Sequence, residues 1–184
     1  MNIANKKWLL NLAKQAIETE LKGQKLLVKK VPAEFKKKKA CFITLTKSGK
    51  LRACIGHLIP VRALYRDVIE NAKAAAFMDY RFNPVTDNEL PQIKIEISIL
   101  DRPKKYKYSS PKNLLKFLSE NKPGVILKKG INQATYLPQV WEELKNPEEF
   151  MNSLCQKANL PFDEWKRMTS VDIYKVSKIQ DTLN

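Results

Sequence analysis

Residues 51–56 read LRACIG, which places a thiol at Cys54, an arginine two positions before it and a glycine two after. A neighbouring guanidinium favours the thiolate, the nucleophilic form of cysteine. On this reading Cys54 is a nucleophile or redox thiol, Arg52 lowers its pKa, and Gly56 opens the backbone to an approaching ligand. Such chemistry also needs a base and an orienting group, and the chain holds one histidine, His57. The competing reading makes Cys54 a compact packing residue, with Arg52 tied to a carboxylate such as Asp79. Cys54 and His57 form a lone C-x-x-H, half of a zinc site without an evident second half, so neither a metal nor a cofactor is expected. Cys41, Cys54 and Cys155 are widely spaced, contain no C-x-x-C, and do not make a disulfide framework.

These side chains need a strand to hold them. The run ACFITLTKSGKLRACIG, residues 40–56, predicts a hairpin whose turn is KSGK. Strict alternation then sets Leu51, Ala53 and Ile55 toward the core and Arg52 beside Cys54 on the other face, about 7 Å apart at their origins. A helix over VRALYRDVIENAKAAAFMD follows, with Pro60 in its first turn and Leu64, Tyr65, Val68, Ile69, Ala72, Ala75 and Ala76 as its buried stripe. If its N-terminus returns toward Cys54, the dipole there would favour a thiolate.

Elsewhere the periodicity predicts an N-terminal amphipathic helix with Trp8, Leu9, Leu12, Ala13, Ala16 and Ile17 on one face. QKLLVKKV reads as a short strand and PAEFKKKK as a loop. Thr86 and Glu89 have capping-box spacing. Ile93, Ile95, Ile97 and Ile99 alternate toward one side of a strand, and Ser110 with Pro111 starts a helix. GVIL and ATYLP flank a turn at KKGINQ. A last helix from Pro147 presents Phe150, Met151, Leu154, Cys155 and Ala158, and VDIYKV reads as a closing strand. The pattern indicates an α+β fold with mainly antiparallel sheets and flanking helices.

The 184 residues, 43% hydrophobic, suffice for an ordinary core. No apolar run approaches membrane-spanning length, and the N-terminus lacks the marks of a signal peptide, so a cytoplasmic, membrane-free protein is expected. The net charge of +15 raises the question of nucleic acid. Residues 22–52 hold eleven basic residues and one acid, and residues 102–129 hold nine and one. Lysines outnumber arginines 28 to 6, whereas specific recognition favours the planar fork of Arg. The excess therefore reads mainly as solvated surface, including KKKK at 36–39, with weak non-specific nucleic-acid binding as the alternative. Tyr106 and Tyr108 among the lysines of RPKKYKYSS could stack on bases.

Taken in order, LRACIG, MDYRFNP, ELPQIKIEISIL, GVIL, TYLPQVW and FMNSLCQKANL followed by a tryptophan resemble the AMMECR domain family from about Phe42 onward. The resemblance implies one AMMECR-like domain over 1–184 in two lobes whose boundary is open, with the hexapeptide near a cleft. It implies no established reaction. It places Arg52, Cys54 and Gly56 on the signature, and Asp79, Arg81, Phe82 and Pro84 on the following D-x-R-F-x-P. Ala53 stands where the family generally has glycine, and Pro123-Gly124 where a histidine-glycine is common. Prokaryotic relatives imply a Memo-like protein and a radical S-adenosylmethionine protein as partners. Three readings stay open: a ligand- or anion-binding cleft around Arg52, Cys54, Gly56, Asp79 and Arg81, with or without catalysis by Cys54; a nucleic-acid-associated protein; and an adaptor that docks a partner protein. Arg81 itself reads either as a structural ion-pair partner or as an anion clamp.

Overall fold

The computed structural model describes residues 1–167 and 169–180. Its helices are α1 (Ile3–Leu21), α2 (Leu64–Phe77), α3 (Pro111–Asn121) and α4 (Pro147–Lys157). The strands are β1 (Ala40–Lys47), β2 (Lys50–Gly56), β3 (Ile93–Leu100), β4 (Lys104–Tyr106), β5 (Gly124–Lys129), β6 (Asn132–Tyr136), β7 (Ser170–Tyr174) and β8 (Val176–Gln180). They form two four-stranded sheets, so the expected α+β architecture is the observed one. The chain divides into two compact units, Met1–Arg102 with the stretch from Ser177, and Pro103–Val176. Among the described residues no helix is long and apolar enough to cross a membrane.

In the first unit the strand order is β2-β1-β3-β8, which leaves β2 at an edge. The β1–β2 hairpin closes as the sequence indicates, because Ser48 and Gly49 both take positive φ, 51° and 75°. Two successive left-handed residues give the turn whose twist matches that of paired strands. Ile95, Ile97 and Ile99 on β3 are buried, while Ile93 at the strand end is only partly so. Opposite them, α1 contributes Leu9, Ala13, Ala16 and Ile17, and α2 contributes Val68, Ala72, Ala75 and Ala76. The alanines on both helices let their backbones approach closely, and each large aliphatic buried here is worth about 1.5–3 kcal/mol.

Several expectations need correction. The hairpin register shifts between Leu45 and Thr46: Leu45 pairs with Ala53 but Thr46 pairs with Leu51, so Arg52 is an extra residue in β2. Such a bulge interrupts alternation. Ala53 is buried as expected, but Leu51 is 48% exposed. Pro60 lies outside α2, because residues 57–63 first run beside the start of β1. His57 N–H bonds Cys41 O, Lys38 bridges Ala63, and Leu64 N–H bonds Lys37 O. QKLLVKKV forms no strand, and its Leu26, Val28 and Val31 pack singly against the core. PAEFKKKK includes a 3-10 turn, Ala33–Lys36, that buries Phe35 against Trp8 at 5.4 Å. The closing strand is two strands, β7 and β8, in different sheets.

The second unit has strand order β4-β7-β5-β6. Ser110 Oγ accepts from Asn113 N–H at 3.2 Å to cap α3, as its position before Pro111 predicts. Phe150, Met151, Leu154, Cys155 and Ala158 are buried as expected, with Trp141 stacked on Phe150. Tyr106 stacks on Phe117 at 4.1 Å, and the Tyr108 hydroxyl donates to Thr169 O at 3.0 Å. Both rings therefore serve packing within this unit.

Candidate functional site

An edge strand exposes backbone N–H and C=O groups that need partners. For β2 these partners come from the loop after α2. Cys54 N–H donates to Asp79 Oδ2 at 3.0 Å, and Arg81 Nη2 donates to Cys54 O at 3.3 Å. Arg81 in turn holds Asp79 through Nε at 2.9 Å and Nη2 at 2.7 Å. An acid and a base two residues apart thus stand in for a neighbouring strand. Asp79 has a side chain only 2% exposed, and the Arg81 guanidinium beside it holds its pKa down to about 2.

The far end of the same loop is fastened by Arg52. Its Nε and Nη2 donate to the two oxygens of Glu89 at 2.8 and 3.0 Å, and Nη2 also reaches Asn83 O at 2.7 Å. Lys47 Nζ adds a bond to Glu89 at 3.2 Å. Glu89 is accordingly lowered to about 2, chiefly by Arg52 and then by Lys47. The Phe82 ring lies 5.7 Å from the Arg52 guanidinium and 5.5 Å from that of Arg81. Cation–π geometry of this kind braces the loop between its two fasteners.

The result is a groove of about 560 Å³, whose lining includes Arg52, Tyr80, Arg81, Phe82, Thr86 and Glu89. Tyr80 is 94% exposed and the Arg81 side chain 42% exposed, so a ring and a guanidinium face solvent there. Arg52 Nη1 is buried without a hydrogen-bond partner. Cys54 and Gly56 do not line the groove. A Cβ on Gly56 would come within 3.0 Å of Cys41 O and of the Phe42 Cα. Glycine serves close strand packing here.

The Cys54 thiol is half-buried, 3.4 Å from Thr44 Oγ1, its cross-strand neighbour. Burial pushes its pKa up, outweighing the Thr44 hydrogen bond and the charge of Arg81. The cation that favours the thiolate is Arg81 in place of the expected Arg52, which is tied to a carboxylate as the packing reading has it, with Glu89 in the place of Asp79. In the first turn of α2, Asp67 accepts Cys41 N–H at 2.9 Å. His57 gives its Nδ1 to Asp67 at 2.9 Å. Cys41 and Cys155 are buried and raised too. Among the described residues no cluster of His, Cys, Asp and Glu could hold a metal. Pro123 is buried in the second unit, its carbonyl accepting the Trp141 indole N–H at 2.8 Å.

Alkylation checks this account of the thiol. Limiting iodoacetamide is expected to label Cys54 before Cys41 and Cys155, because it alone is not fully buried. The rate at pH 7 should fall below that of a free thiol, and Arg52→Lys should not slow it further. Labelling faster than free cysteine would show an activated nucleophile and overturn the account.

Glu89 and Tyr80 are the groove residues that sequence reasoning missed. Glu89 carried the spacing of a capping box, yet its carboxylate goes to Arg52 and Lys47. An acid in a turn-rich segment within reach of an unpaired arginine was the available signal.

The AMMECR1 family profile matches residues 10–179. A protein of Methanothermobacter thermautotrophicus is 38% identical over 158 residues, covering 84% of this chain and 82% of its own. A protein of Methanopyrus kandleri is 36% identical over 167 residues, covering 86% and 79%. The crystal structure of an uncharacterized protein from Pyrococcus horikoshii matches with a TM-score of 0.88 at 32% identity, over 97% of this chain and 92% of that one.

Proposed function

The chain belongs to the AMMECR1 family, and from that premise we propose that it is a binding module whose groove beside the LRACIG strand takes a small aromatic carboxylate. One observation carries the reading: Asp79, Arg81, Arg52 and Glu89 are spent on fixing the loop, while the Tyr80 ring and part of the Arg81 guanidinium remain exposed over the groove. A preformed site loses little entropy on binding. A planar ring stacks on Tyr80, and a carboxylate takes the open edge of Arg81. Cys54 has no part in this reading, since its thiol faces Thr44 and has no base bonded to it.

A panel of benzoates, with benzamide as the uncharged control, tests the proposal by thermal denaturation. Binding to the folded state alone raises Tm by mass action. Benzoates are expected to raise Tm in the native protein and in Cys54→Ser, and to lose the effect in Tyr80→Ala. A rise equally large with benzamide, no rise with any acid, or loss of the rise in Cys54→Ser would each sink it.

A further inference from the structure

The lysine run 36–39 ends beside a second concavity, a pocket of about 520 Å³ lined wholly by the first unit. The β1–β3 ladder ends where Ala40 pairs with Leu100. Past that pair the two chains diverge from the ladder, and Lys38, Lys39, Asp101 and Arg102 all line the pocket. Among the described residues Lys38, Lys39 and Arg102 take no ion pair. Three cations against one carboxylate leave two positive charges at one end of the pocket. The opposite wall is Leu58, Ile59 and Pro60, with Ile59 largely exposed.

The backbone under these cations is anchored. Leu64 N–H bonds Lys37 O, Lys38 bridges Ala63, and Cys41 N–H bonds the buried Asp67 carboxylate. His57 N–H bonds Cys41 O and so brings the 58–60 wall alongside. A solvated lysine run needs no such framework.

We propose that this pocket binds a small phosphate monoester through Lys38, Lys39 and Arg102, with the organic part of the ester against Leu58, Ile59 and Pro60. A phosphate monoester carries about −1.5 to −2 charges at pH 7, which matches the net charge of the polar end. Arg102 supplies the planar fork suited to two phosphate oxygens. The volume lies within the range of small-ligand sites, about 300–1,000 Å³. The wall offers no aromatic platform, so an extended single strand of nucleic acid lacks the stacking that would hold it. The site is independent of the groove at Tyr80, and either can fail without the other.

Phenyl phosphate is the probe, titrated into the whole protein by ¹H–¹⁵N NMR beside inorganic phosphate, phenol and a ten-nucleotide RNA. Saturable shifts are expected at residues 38–40, 58–59 and 100–102, with phenyl phosphate tighter than inorganic phosphate and phenol inert. Arg102→Ala should weaken binding about tenfold, and Lys38→Ala with Lys39→Ala at least as much. These side chains are exposed, so the variants should fold; Lys112→Ala on α3 should change nothing. The proposal is overturned by shifts scattered over the lysines of both units, by unchanged affinity in the Arg102 variant, by no saturation, or by RNA binding the same residues more tightly than phenyl phosphate.

Discussion

Asp79→Ala is expected to destabilise the protein by about 2–4 kcal/mol and to loosen the loop 79–89 from β2. The carboxylate accepts Cys54 N–H and three bonds from Arg81 while almost wholly buried. Removing it leaves Cys54 N–H without an acceptor, which costs about 1–3 kcal/mol in a buried setting. Arg81 loses its partner too, but its partial exposure lets water replace part of that interaction. Linkage leads to a similar size. The folded pKa of about 2 lies below the ordinary value of 3.8, so ionised Asp79 contributes about 2 kcal/mol at neutral pH. A depressed carboxylate pKa means this stability is complete above the unfolded value and is lost as pH falls toward the folded one. Glu89 behaves the same way, from 4.5 down to about 2. The loop should therefore detach between roughly pH 4.5 and 2. Urea denaturation of the native protein and of Asp79→Ala at pH 7 and pH 3 checks this. The difference between them should shrink at pH 3, and Cys54 alkylation should be faster in the variant. A variant within about 0.5 kcal/mol of the native protein at pH 7 would show that the loop is held by other contacts.

Gly56→Ala is expected to cost at least about 3 kcal/mol, enough to prevent folding of a marginal domain. The new methyl would fall within 3.0 Å of Cys41 O and Phe42 Cα, both on β1. That strand is central and cannot yield. Cys41 and Phe42 pair with Ile99 and Ser98 of β3, and Cys41 O already accepts His57 N–H and Asn71 Nδ2. The comparison is Ala53→Gly, which restores the residue the resemblance implies at that position. It removes one buried methyl and adds backbone freedom, for about 1 kcal/mol. Thermal denaturation of both variants separates the two roles. If Gly56→Ala melts within a few degrees of the native protein, the close approach of β2 to β1 is not what requires glycine there.

Much of the fold is legible in the residues because its signals are local. The isoleucine run of β3, the KSGK turn, the Ser110–Pro111 helix start and the apolar face of α4 each follow from the chemistry of a few neighbours. The family, too, is readable from short motifs in order. The outcome at Arg52 was decided elsewhere. One bulge between Leu45 and Thr46 shifts β2 by a residue, and alternation carries no sign of it, because a bulge is a property of two paired strands. Choice of ion-pair partner is likewise spatial. Arg52 finds Glu89, thirty-seven residues away, while Asp79 takes Arg81, two residues away. Burial then settles the thiol: LRACIG places an arginine beside a cysteine, but desolvation of Cys54 outweighs the cation that reaches it. Residue types and their spacing determined the strand, the loop and the charges that each carries. Only the packed sheet edge decided which carboxylate each arginine holds, because ion pairing and desolvation depend on distance through space and not along the chain.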